Sequence, residues 1–389
     1  MKIKTLHIED IAGISNLNLQ FNENMNLICG PNGIGKTTIL ECIAHTFSAS
    51  QTNILKRNSL SNKGNFSALV NIDNQDKSKT IEITDFIPNK GTQFTGLHES
   101  SIYLLSLKVN RTFNYKPLNS VSKDIDKNGS RYQEAQTGVN IDEVKNWFVN
   151  RHLYSKHENS LTDEQIFNLN YAKKIISVID KDFSFSRVQA SDNEIMINTP
   201  NGEIYYEYLS SGFKSIISIL FGIIKDIEFR FKNPCIKANE FDGIILIDEL
   251  ELHLHPSWQS KISTILTQTF PKVQFIATTH SPHIIQNANT NEIIALERID
   301  KEPKQRDLTN NEFGFQGWTI EEVLIDVMGM EDTRTNILHS TIENFEIAIE
   351  KENFVEAQKY YDILNKLLHP NNHLRKLLKF DLISIQDDN

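Results

Sequence analysis

Eight residues constrain this chain more than any others: Gly30-Pro31-Asn32-Gly33-Ile34-Gly35-Lys36-Thr37. They satisfy G-x-x-x-x-G-K-[ST] without a gap. The run before them, residues 25–29, is nearly continuous in apolar character, as a strand buried on both faces requires. The run after them, residues 36–43, has helical spacing. Strand, glycine-rich turn and helix in that order let backbone N–H groups wrap phosphates at a helix N-terminus. The expectation is an α/β fold that binds ATP through Asn32, Gly33, Gly35, Lys36, Thr37 and Thr38. Lys36 would reach the β- and γ-phosphates, and the Thr37 hydroxyl would ligate Mg²⁺.

A second apolar run, Ile244-Ile245-Leu246-Ile247, ends in Asp248-Glu249. A buried strand finishing this way puts two carboxylates at the carboxyl edge of a parallel sheet, where α/β folds bind ligands. Asp248 would hold Mg²⁺, and Glu249 would orient and deprotonate the attacking water. A third run, Phe275-Ile276-Ala277-Thr278, leads to His280. Before these, Leu209-Ser210-Ser211-Gly212-Phe213-Lys214-Ser215 opens a long amphipathic pattern, with Phe213, Ile216, Ile217, Leu220, Ile223, Ile224 and Ile227 on one face. Ser210 reads as an N-cap and, with Gly212, as an anion-binding helix start.

Taken together, these segments resemble the ABC-type ATPases. Leu209–Gly212 is similar to their signature loop, with Ser211 and Phe213 departing from the usual residues, and His280 to their switch histidine. The form Glu249-Leu250-Glu251-Leu252-His253-Leu254-His255-Pro256 narrows the resemblance to the OLD/RecF-like group, in particular PtuA-like subunits of Septu and retron-associated antiphage systems. The resemblance implies a head-to-head dimer or higher homo-oligomer. In each site Lys36, Thr37, Asp248, Glu249 and His280 of one chain would face Ser210 and Gly212 of the other. It covers two ATPase lobes, 1–47 and 190–298. Between them lies an insertion, 48–189, with strands followed by helices, and after them a helical tail, 299–389. The implied fold is an ABC-type P-loop ATPase head with mixed and parallel sheets. For the glutamine loop of such heads, Gln93, Gln133 and Gln136 are candidates. Arg111 is a candidate for pointing at the nucleotide, with a surface role as its alternative.

Along the chain, residues 2–8 and 16–21 alternate as strands, and 48–66 is polar and read as loop. Strands are expected at 68–72, 80–84 and 102–107, and a mobile segment at 114–140. Helices are expected at 141–149 and 163–179, and a hairpin around Pro200-Asn201-Gly202. The tail suggests helices at 320–328, 334–350 and 354–368, with Pro370 as a stop. His253 and His255, two apart and lacking a third ligand, are read as shaping their loop rather than binding zinc.

Charge bears on partners. The chain carries 40 Lys/Arg against 50 Asp/Glu, net −10, which excludes a whole-surface nucleic-acid binder. Residues 51–140 hold 12 basic and 8 acidic groups, so a local nucleic-acid contact through the insertion stays open. Three scattered cysteines fit a cytoplasmic protein, and no apolar run approaches a membrane span. Residues 299–389 lack the strand-borne Glu and later Asp-x-Asp of a Toprim nuclease. The chain is therefore expected to cut nothing itself; the resemblance to PtuA-like subunits implies an ATPase subunit of an antiphage complex that regulates a separate nuclease, HNH-type. The alternative is a RecF-like repair ATPase that loads on DNA.

Overall fold

Apolar runs far apart in the sequence become neighbours in one six-stranded sheet. In the computed structural model, which describes residues 1–109, 115, 117–124, 131–308 and 312–385, strands Met25–Cys29, Gln274–Thr278, Ile244–Ile247 and Leu104–Leu107 pair in parallel in that order. Ile293–Ile299 lies parallel on the other side of Met25–Cys29, and Glu302–Gln305 closes that edge antiparallel. The four strands named first are buried at every residue. That is why they show no polar alternation: both faces are covered.

Side chains alternate across the sheet and so feed two separate cores. Met25, Leu27, Ile245, Ile247, Phe275 and Ala277 join one, packed with the long helix Ser211–Arg230 and with helices Val144–Tyr154 and Asp163–Ile179. Ile28, Ile244, Leu246 and Ile276 join the other, with helix Lys36–Thr46 and a four-stranded antiparallel sheet. That sheet runs Ile14–Gln20, Lys2–Ile11, Gly64–Ile72, Gln75–Ile83. A small antiparallel sheet, Ser184–Gln189, Glu194–Thr199 and Gly202–Tyr205, turns at Asn201-Gly202 and leads into the long helix.

Two local expectations change, and the long helix adds a feature that its apolar pattern does not show. The polar stretch 48–66 contains strand Ala49–Thr52, paired with Thr92–Thr95. Within 114–140, helix Arg131–Thr137 packs with Ala135 buried, and Ser48 Oγ donates to Tyr132 O at 2.7 Å. On the long helix, Lys225, Asp226, Glu228 and Arg230 lie off the apolar stripe yet are buried. Partners from the insertion supply the reason. Lys225 pairs with Glu143 at 2.8 Å, Arg230 with Glu134 at 2.9 Å, and Arg151 with Glu228.

Contacts divide the chain into two compact units, Met1–Gly329 and Met330–Asn389. The tail region beyond 299 therefore begins with strand Glu302–Gln305 inside the first unit. Among its described residues the second unit holds helices and no strand: Asn336–Glu350, Phe354–Leu367 and Leu374–Ser384 enclose Ile342, Phe345, Ala357, Leu364, Leu378 and Leu382. Pro370 does follow a helix end, but a further helix restarts beyond it, which a stop signal does not forbid. No helix among the described residues is long and apolar enough to cross a membrane.

Candidate nucleotide site

Parallel pairing brings the ends of several strands to one edge, and the polar residues of interest follow those ends. After Met25–Cys29 comes the glycine-rich loop. Gly30 has φ +137°, and a Cβ there would lie 2.4 Å from the Leu296 carbonyl oxygen, so only glycine fits. Gly35, at φ +107°, precedes the first residue of helix Lys36–Thr46. Asn32 and Gly33 are exposed, and Thr38 is half-buried in the first turn. Lys36 Nζ donates to Gly30 O at 2.8 Å and Pro31 O at 2.9 Å, curling over its own loop. Burial lowers its pKa, opposed by the carboxylates of Glu251, Asp248 and Glu249. The Arg298 guanidinium reaches over the loop and donates to Gly33 O at 3.1 Å.

After Ile244–Ile247 come the acids. Thr37 Oγ1 lies 3.3 Å from both Asp248 carboxylate oxygens. Asp248 is buried, and Thr278 Oγ1 donates to its Oδ1 at 2.6 Å. The same hydroxyl accepts from the Glu249 backbone N–H at 2.8 Å. Glu249 is half-buried and holds φ +51°, a left-handed conformation that a non-glycine residue adopts at a cost and that clusters at functional sites.

After Gln274–Thr278 come Thr279 and His280. Glu251 accepts from Thr279 Oγ1 at 2.8 Å and from the His280 N–H at 2.7 Å, tying the acidic loop to the histidine loop. Desolvation in the cleft, then the Lys36 charge, hold His280 below its ordinary pKa, so its imidazole is neutral at pH 7. Ser210 and Gly212 sit elsewhere in the same chain's structure. Ser210 Oγ caps the long helix by accepting from Phe213 N at 3.3 Å. A Cβ on Gly212 would stand 3.4 Å from His253 O, so the helix start packs on the loop carrying the two histidines. His255 caps helix Pro256–Thr269 through Ser257 N.

The donor set suits the expected ligands. One hydroxyl and one carboxylate are hard oxygen donors, which is how Mg²⁺ is held when phosphates and waters complete its shell. Left-handed glycines before a helix N-terminus suit phosphates.

Sequence reasoning overlooked Thr278 and Glu251. Their signals were visible: a hydroxyl pair ahead of His280, and the second acid of Glu-x-Glu. The edge position beside Asp248 is Lys108, not a glutamine, since Leu107 pairs with Ile247 and Asp248 N donates to Leu107 O at 2.9 Å. Gln93 lies on strand Thr92–Thr95 and Gln133 on helix Arg131–Thr137, where Gln136 donates to Ser48 Oγ at 2.8 Å. Arg111 lies outside the described residues.

Residues 25–286 match the family described as "AAA domain, putative AbiEii toxin, Type IV TA system". The chain is 43% identical over 387 residues to the Septu protein PtuA of Bacillus thuringiensis, covering 98% of this chain and 97% of that one. It is 26% identical over 368 residues to the Septu protein PtuA of Bacillus mycoides (strain KBAB4), covering 92% and 49%. The Retron Ec83 probable ATPase of Escherichia coli is 29% identical over 231 residues, 56% of this chain and 40% of that one. Among solved structures, the SMC head domain from Thermotoga maritima covers 79% of this chain and 100% of that chain at 13% identity, with a TM-score of 0.49.

Proposed function

The chain belongs to this AAA-domain family as a PtuA-like ATPase, and from that premise we propose that it is the ATP-hydrolysing subunit of an antiphage complex. One observation carries the reading. Adjacent parallel strands bring the phosphate loop, Asp248-Glu249 and Thr278–His280 to a single edge, linked through Thr37, Thr278 and Glu251. The full-length similarity to a Septu protein PtuA supports the defence setting.

In this reading Lys36 leaves its loop carbonyls for the β- and γ-phosphates, and the amides of residues 33–38 cradle them. Thr37 and Asp248 would hold Mg²⁺, which supplies charge neutralisation on the phosphate oxygens. Glu249 accepts the proton of the attacking water. Neutral His280 offers a hydrogen bond at the γ-phosphate end. Ser210 and Gly212 present a helix start to the nucleotide of a second chain, so two chains enclose two nucleotides. The lobes 1–47 and 190–298 carry the nucleotide-site residues of the ATPase head, and the insertion 48–189 completes it with strand Leu104–Leu107 in the central sheet and strands Gly64–Ile72 and Gln75–Ile83 in the antiparallel one. The helical unit Met330–Asn389 docks the partner. That partner is a separate nuclease, HNH-type, restrained in the ATP-bound state; this chain cuts nothing itself. Turnover is slow, as suits a switch, and the setting is cytoplasmic.

The test is Glu249→Gln. It should bind ATP normally, lose roughly 100-fold or more in turnover, and accumulate as a dimer with ATP and Mg²⁺ on light scattering. Unchanged turnover would remove Glu249 from its role. Tagged Glu249→Gln recovered from its host with ATP and Mg²⁺ should bring down a stoichiometric nuclease. Recovery of DNA with recombination factors instead would favour a DNA-loading repair ATPase.

A further inference from the structure

The candidate site has a second tier. Thr37 and Glu41 stand one turn apart on the same face of helix Lys36–Thr46. Asp248 and Lys108 directly follow the ends of neighbouring strands, each one residue past the Ile247–Leu107 pair. The helix is therefore joined to the sheet by two rungs. The upper rung is Thr37 to Asp248, at 3.3 Å. The lower is Lys108 Nζ to Glu41 Oε1, at 2.6 Å.

The lower rung is buried. Glu41 keeps 8% of its side-chain surface exposed and Lys108 18%. Glu41 Oε2 is fully enclosed without a hydrogen-bond partner, with His45 Nδ1 at 3.7 Å. Burial raises the Glu41 pKa, and the Asp248 charge adds to that push. Without the ammonium, nothing would offset the repulsion that the Asp248 charge exerts on the buried Glu41 carboxylate. The Lys108 stem is held in place as well, because a Cβ on Gly138 would lie 2.9 Å from its Cγ.

We propose that Lys108 is a positioning residue of the hydrolytic site: by holding Glu41 beneath Thr37, it sets the Thr37–Asp248 spacing on which the magnesium–nucleotide complex depends. It acts through Glu41 and Asp248 rather than by touching the nucleotide. The inference rests on the ATPase reading above.

The test measures ATP binding by calorimetry, with EDTA and across a Mg²⁺ titration, together with phosphate release. Lys108→Met should bind ATP in EDTA within about twofold of wild type, since Lys36 and the loop are intact. Its half-saturating Mg²⁺ concentration should rise about tenfold or more, and its kcat should fall in step. Lys108→Arg should restore most of both. Should Lys108→Met fold poorly, Lys108→Met with Glu41→Gln removes the stranded carboxylate, recovers the melting temperature, and should still show the raised Mg²⁺ requirement. A wild-type Mg²⁺ dependence in either variant overturns the proposal and leaves a plain structural ion pair. A wild-type chain that binds no ATP overturns the ATPase reading and this inference with it.

Discussion

A single hydroxyl, Thr278 Oγ1, does two things at once: it donates to Asp248 and accepts from the Glu249 N–H. Thr278→Val keeps the shape and removes both bonds. A buried acceptor and donor then lose a partner, which costs about 1–3 kcal/mol. Turnover should drop about 10–100-fold while Thr278→Ser stays near wild type; steady-state phosphate release checks this, and equal rates for Val and Ser would mean the hydroxyl is idle. His45 illustrates a different residue-scale effect. Its ring is fully enclosed between Glu41 O and Thr52 Oγ1, and burial lowers its pKa to about 4. The unfolded chain binds this proton near pH 6.5, the folded chain only near pH 4. The stability held by neutral His45 is thus complete above pH 6.5 and lost as pH falls toward 4, by about 3 kcal/mol in all. Glu41, raised by burial, works in the opposite direction over part of that descent. Comparing wild type with His45→Gln isolates the histidine: the gap in melting temperature should narrow between pH 7 and pH 4. A constant gap would show that the ring is not held neutral.

At the scale of elements, the long helix Ser211–Arg230 is gripped by charge as much as by apolar packing. Glu228 receives Trp147 Nε1 at 3.1 Å, Asn168 Nδ2 at 3.3 Å and the Arg151 guanidinium, all from insertion helices. Arg151 also pairs with Asp124. Removing one partner of a buried pair strands the other charge. Arg151→Met should therefore destabilise by about 3–5 kcal/mol, and adding Glu228→Leu should recover most of the loss. Denaturant titration of both decides it; full stability of Arg151→Met alone would mean water replaces the guanidinium. These charges were unreadable from sequence as buried. Helical periodicity puts them off the apolar face, and only the insertion packing on that second face encloses them. The apolar stripe itself, Phe213 to Ile227, was legible because a one-sided pattern needs no knowledge of neighbours.

For the whole molecule, the contact division at 329/330 makes a concrete claim. A chain ending at Gly329 keeps both cores of the first unit, since the second unit has its own apolar interior. It should fold cooperatively and bind ATP within about threefold of full length, but fail to capture from host extract the nuclease proposed above as its partner. Loss of ATP binding on truncation would mean the helical unit belongs to the ATPase. The sequence alone determined the phosphate loop, the strand-borne acids and the strand before His280, because each is local: a few residues whose spacing forces one backbone shape. It also determined that a glycine must follow Met25–Cys29, though not that the Leu296 carbonyl is what demands it. Tertiary structure decided the rest. Strand order is a long-range choice, and it alone set Lys108 beside Asp248 and Thr278 between Asp248 and Glu249. Two residues 140 positions apart become neighbours only when parallel strands align in register, and no window of sequence contains that register.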